Sequence, residues 1–150
     1  MIKPQWLLAT LLVLSASHLF AADSAGTVKR VSGQVQVERG NEKLKAEPGM
    51  AILVADKVRT GSDGAVGITL KDETLLSAGA NSLLSLDKFS FDQTTHQGAM
   101  QTTVKRGRLA VATGKLAKTS PETVEFHTPN SILGVRGTEF ALEVNAHEAE

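Results

Sequence analysis

The chain has 150 residues with no cysteine, 16 basic and 16 acidic residues, and only five Phe and one Trp as aromatics. That length makes one domain with a modest core, which must be built from Val, Leu, Ile and Ala. The missing cysteine excludes disulfides, thiol chemistry and a lipoprotein anchor, and the balanced charge gives no overall electrostatic drive toward nucleic acid or anionic lipid.

Residues 1–22 read as a signal peptide. Lys3 supplies the positive start, and Leu7 to Phe20 is a 14-residue apolar run, short of the roughly 20 residues that span a bilayer. Ala21-Ala22 offers a cleavage site, with Ala25 a later one; an uncleaved anchor is the alternative. Cleavage would leave a single β domain over 23–150 with a short C-terminal tail, located in the periplasm or secreted and without a membrane span.

Beyond a polar lead, Thr27–Val31 and Gln34–Glu38 read as strands around a Gly33 turn. In the second, Val35 and Val37 alternate with Gln34, Gln36 and Glu38. Arg39-Gly40-Asn41-Glu42 is turn chemistry. Leu44–Ala46, Met50–Val54 and Lys57–Thr60 follow as strands, with Pro48-Gly49 as a turn. Gly61-Ser62-Asp63-Gly64 predicts a tight connection into Ala65–Leu70. Thr74–Ser77 and Ser82–Leu86 come next, and Asp92 to Gly98 is a polar loop. Ala99–Lys105 and Arg108–Thr113 read as two strands across Arg106-Gly107. Lys115–Ser120 predicts a short helical turn stopped near Pro121, and Thr123–His127 another strand. About a dozen short strands with Gly-containing turns argue for an all-β domain. Thr27-Val28-Lys29-Arg30 recurs as Thr103-Val104-Lys105-Arg106, a faint internal echo.

The least generic stretch runs from Thr128 to Phe140. Ile132, Gly134 and Arg136 alternate with Leu133 and Val135 in strand period. After Gly137, Phe140, Leu142 and Val144 alternate with Glu139, Ala141 and Glu143. A one-residue bulge at Gly137 would bring Arg136 and Glu139 to one face, where a guanidinium and a carboxylate can pair bidentately. Either the pair clamps the last strands, or Arg136 recognises an acidic partner.

Chemistry is harder to find. His96, His127 and His147 lack ligand spacing, so no metal site is expected. There is no nucleophile motif and no phosphate-binding Gly-rich loop, so no cofactor is expected. A glycosidase needs two carboxylates across a cleft; Glu125, Glu139 and Glu143 could in principle supply them, yet outward strand charges explain them more simply. Lys105, Arg106 and Arg108 form the one basic run, either a solvated turn or a patch for an acidic partner or an anionic envelope polymer.

Thr128-Pro129 with Gly134-Val135-Arg136-Gly137-Thr138-Glu139-Phe140 resembles the signature of FecR-type periplasmic domains. Asp56-Lys57-Val58-Arg59-Thr60-Gly61-Ser62-Asp63-Gly64, Arg106-Gly107-Arg108-Leu109 and Gly114-Lys115-Leu116 agree with it, and the likeness spans roughly residues 27 to 144. It implies a compact solenoid-like or roll-like stack of short strands, with which the strand pattern agrees; a jelly roll fits that pattern equally. It also implies transmembrane signalling in iron uptake, through control of a sigma factor. The typical regulator carries a cytoplasmic segment and a membrane span, and a signal peptide stands in their place here. The expectation is therefore a non-enzymatic protein-interaction, signalling or scaffold module of the envelope. Longer relatives continue with further strands, so an open edge at Leu142 and Val144 could add a partner's strand. The competing reading is a carbohydrate or cell-wall polymer binding module.

Overall fold

The computed structural model describes residues 23–137 and 139–145. The predicted signal segment, Thr138 and residues 146–150 lie outside the described residues.

Alternating apolar and polar side chains produce twelve strands among the described residues: β1 (Gly26–Ser32), β2 (Val35–Arg39), β3 (Glu42–Lys45), β4 (Ala51–Ile52), β5 (Lys57–Thr60), β6 (Ala65–Leu70), β7 (Leu75–Ala78), β8 (Leu83–Phe91), β9 (Gly98–Ala112), β10 (Val124–Thr128), β11 (Ser131–Gly134) and β12 (Glu139–Val144). A short helix α1 (Lys115–Thr119) and a single 3-10 turn at Pro121–Thr123 precede β10. The helical turn thus forms where the sequence predicts it, and Pro121 enters the 3-10 turn at its first position, where a missing N–H costs nothing.

The strands make one continuous curled sheet in two halves that share β9. The first sheet runs β4-β1-β6-β7-β9-β12, and the second runs β3-β2-β5-β8-β9-β10-β11. All pairs are antiparallel except β9 with β10. The architecture is all-β and roll-like, as the strand spacing and the family likeness lead one to expect. The halves close on a common core. Val28, Ile68, Leu76 and Val111 enter it from the first sheet, and Val37, Val58, Leu84 and Phe126 from the second. Leu116 of α1 seals one end and is fully buried. Phe126 and Phe140 meet edge to face with centroids 5.1 Å apart.

Three local expectations change. Arg106-Gly107 does not divide two strands; β9 is one strand of 15 residues. Its first part pairs with β8 and β10, and its last part with β7 and β12. Gly107 makes the crossing between halves, with φ of +90° and Ser82 packed where a side chain would stand. Second, β1 and β2 flank Gly33 without pairing with each other: β1 joins β6 and β4, and β2 joins β3 and β5. Third, Gly137 is not a bulge inside one strand. β11 turns back on β10, whereas β12 pairs with β9 in the other half, so the side-chain phase is reset between them.

The echoed tetrapeptides have a structural counterpart. Pairing skips Lys29 between Val28 and Arg30, and skips Lys105 between Val104 and Arg106. Each copy therefore carries a bulge at its lysine, buries its valine, and runs into a left-handed glycine, Gly33 or Gly107, at which the chain changes sheets.

Candidate functional site

The upstream motif residues hold loops together. Asp56 is 1% exposed, and its carboxylate accepts from Arg39 Nε at 2.9 Å, from Arg39 Nη2 at 2.7 Å and from the Leu53 amide at 2.9 Å. The Thr60 hydroxyl donates to the Gly79 carbonyl at 2.6 Å and accepts from the Ser82 amide at 2.8 Å. Asp63 accepts from the Gln34 amide at 3.2 Å. Around Gly114-Lys115-Leu116, buried Asp72 accepts from the Thr74 hydroxyl at 2.7 Å and the Leu116 amide at 3.4 Å, while Thr74 accepts from the Gly114 amide at 3.0 Å. These short polar side chains satisfy backbone groups that the turns leave unpaired. That is a structural office.

The expected clamp between Arg136 and Glu139 is not formed. Arg136 is exposed and makes no ion pair among the described residues. Glu139 begins β12 in the other half. The reset of phase between β11 and β12 is the reason. Elsewhere in the signature, Val135 is buried at 7% exposure and Phe140 packs on Phe126; Gly134 ends β11.

β11 itself is open. All four residues of β11 are exposed, Ile132 at 66% and Leu133 at 38%. One side of β11 pairs with β10; its other side carries no strand among the described residues. Among the described residues there are four such edges, and three carry the protections usual in monomers, charge or shortness. β3 reads Glu-Lys-Leu-Lys, and β4 has two residues. β12 carries Glu139 and Glu143, the latter 3.2 Å from Arg108. β11 reads Ser-Ile-Leu-Gly and has no protection. Beneath it His127 Nε2 lies 2.7 Å from the Glu125 carboxylate.

Leu142 and Val144, the candidate partner contacts on β12, point toward the interior: Leu142 is half-buried and Val144 is 4% exposed. The basic run is divided by the crossing at Gly107. Lys105 and Arg106 stay on the second sheet and Arg108 passes to the first, so the three do not form one patch. Arg106 buries its Nε with no hydrogen-bond acceptor among the described residues. A linear reading misses both the open edge and this division, because each depends on which strands pair.

Among the described residues no group of three His, Cys, Asp or Glu could hold a metal ion, and no helix is long and apolar enough to cross a membrane. Of the carboxylates considered for a catalytic pair, Glu125 faces His127 and Glu143 faces Arg108.

A search of curated proteins and of solved structures finds no match. A family model described as FecR protein matches residues 56–150, which takes in β5 through β12 and the whole signature segment. The match covers more than half of the sequence, and the chain belongs to the FecR family.

Proposed function

We propose that this chain is an exported, non-enzymatic module of the bacterial envelope that captures a protein partner in signalling or scaffolding. The partner adds a strand to the open edge of β11. The observation that carries this reading is the contrast between edges: three are guarded by charge or shortness, and the fourth is uncharged, apolar and exposed. An added strand would satisfy the outward amides and carbonyls of β11, with Ile132 and Leu133 supplying apolar contact on opposite faces. Arg136, exposed just beyond the strand, is placed to meet a carboxylate of the incoming segment. Membership of the FecR family, whose domains serve signalling across the envelope, supports a protein as the occupant.

The test is affinity capture from envelope extract, read by mass spectrometry, comparing wild type with Ile132→Lys. Ile132 is 66% exposed, so the substitution changes stability by no more than about 0.5 kcal/mol, while placing a charge on the edge. One protein held by the wild type and lost from the variant is the expected result. A partner retained at full yield by Ile132→Lys removes β11 as the docking edge. Retention of cell-wall material with no protein enriched would favour the polymer-binding alternative.

A further inference from the structure

The register of the second sheet assembles a basic face that the linear sequence disperses. Lys45 stands opposite Gln36, Gln36 opposite Arg59, Arg59 opposite Leu83, and Leu83 opposite Arg106. The next row reads Lys43, Glu38, Lys57, Ser85 and Thr103. The charged positions of both rows lie on the outer side, exposed or half-buried, because Val35, Val37, Val58, Leu84 and Val104 between them are buried; Ser85, in the second row, is itself buried. The bulge leaves Lys105 exposed beside Arg106. With strands about 4.8 Å apart, Lys45, Arg59 and Arg106 recur on alternate strands, about 10 Å from one to the next.

Few acids answer them. Glu38 binds Arg59 at 2.9 Å, and its carboxyl is held below the usual range first by that hydrogen bond and then by the charges of Arg59, Lys43 and Lys57. Asp87 takes hydrogen bonds from Ser85 at 2.9 Å and from Thr103. Lys43, Lys45, Lys57, Lys105 and Arg106 make no ion pair among the described residues. A chain with no net charge has thus gathered uncompensated cations on one face. At the Lys45 end of the first row lies an open trough of about 540 Å³ lined by Gly33, Gln34, Gln36, Lys45, Arg59 and Gly61. Its two amide side chains can donate and accept hydrogen bonds beside the charges.

We propose that this outer face binds a linear polyanion of the anionic-polysaccharide class, laid across the strands from the trough toward Arg106. The rows hold no aromatic ring, and Leu83 is their one apolar residue, so the anchors that usually centre a protein–protein interface are missing. The sheet curls around the core, so its outer face is convex and would meet a flat bilayer only along a line. A flexible chain with carboxylate or sulfate groups can follow that curve and contact cations on successive strands. This site is separate from the β11 edge, and its test does not depend on that reading.

The experiment measures binding of the full chain to heparin, used as a linear anionic polysaccharide, across a salt series. Lys45→Glu/Lys105→Glu changes two exposed cations of the face, and Lys29→Glu/Lys118→Glu makes the same charge change away from it. Melting curves confirm that both double variants fold. The face variant is expected to lose roughly tenfold or more in affinity and to flatten the slope of log K against log salt by about 1.5–2, as the counterions released by two contacts disappear. The control pair is expected to stay within about twofold of wild type. Equal losses in the two double variants, or no binding by the wild type, would overturn the proposal. So would tighter binding to polyglutamate, or to vesicles of three parts phosphatidylcholine and one part phosphatidylglycerol, since each assigns the face to another class of partner.

Discussion

Replacing Gly107 by Ala tests the crossing on which the two-half architecture depends. The residue sits at φ of +90°, where an L side chain costs about 1–2 kcal/mol. A β-carbon there would come 2.1 Å from Ser82 Oγ and 2.4 Å from Ser82 Cα. Ser82 cannot simply swing away, because its hydroxyl accepts from the Arg108 amide at 3.0 Å and donates toward the Arg108 carbonyl at 3.3 Å. Losing those bonds adds about 0.5–1.5 kcal/mol each, and the backbone shift needed to clear Cα adds to that. The sum is about 3–5 kcal/mol, a large share of the roughly 5–15 kcal/mol that holds a domain together. For a domain of this size it lowers the melting temperature by about 10–20 °C. The described residues contain no Trp and no Tyr, so unfolding is followed by far-ultraviolet circular dichroism. Ser82→Gly added to Gly107→Ala should recover part of the loss by removing Oγ, but not all, since Cα remains. A melting temperature within about 4 °C of wild type for Gly107→Ala would refute the reasoning, because the crossing would then tolerate a side chain.

Two further predictions concern charge. Asp56→Ala strands the Leu53 amide and unpairs Arg39; the Arg39 side chain is 33% exposed and can rehydrate, so the expected cost is about 2–3 kcal/mol rather than the 3–5 of a fully buried pair. Urea unfolding measures it, and a cost below about 1 kcal/mol would mean the clamp is idle. Glu38 is held below its ordinary carboxyl pKa by the Arg59 hydrogen bond first, and Asp92 by the amides of Thr95 and Thr94. A lowered folded-state pKa contributes stability above the unfolded value and loses it as pH falls through the folded one. The melting temperature should therefore hold between about pH 7 and 5 and fall below about pH 4, with a shallower fall in Glu38→Gln. An unchanged acid slope in that variant would take Glu38 out of the account.

The family match begins at Asp56, yet the strands before it are integral to both halves. β1 lies between β6 and β4, and β2 between β5 and β3. Without them, Val58 and Ile68 would lose their neighbours Val37 and Val28 across the ladder. The folding unit is thus larger than the matched segment.

Much of the local structure can be read from residues alone. The period-two alternation marks β5 and β6 to the residue, because Val58, Val66, Ile68 and Leu70 strictly alternate with smaller or polar neighbours. Lys115 to Pro121 declares its short helix through the proline that stops it. The signature motifs likewise identify the family from short glycine-rich stretches. These are short-range consequences of side-chain alternation and backbone sterics, and neighbours in sequence carry them.

Pairing is another matter, because it joins residues far apart in the chain. Nothing near Gly107 says that β9 continues through it into a second sheet, and Lys105-Arg106-Gly107-Arg108 reads equally as a turn. Nothing near Gly137 says that β11 and β12 belong to different halves, so the Arg136–Glu139 pair fails for a reason no local pattern contains. The basic face requires five strands in register, and the open edge of β11 requires knowing which strand is last. The sequence determines that strands form and where the core side chains fall. Only the tertiary structure decides which strands meet, and so which charges gather and which edge is left unpaired, because register is a long-range property of the packed sheet.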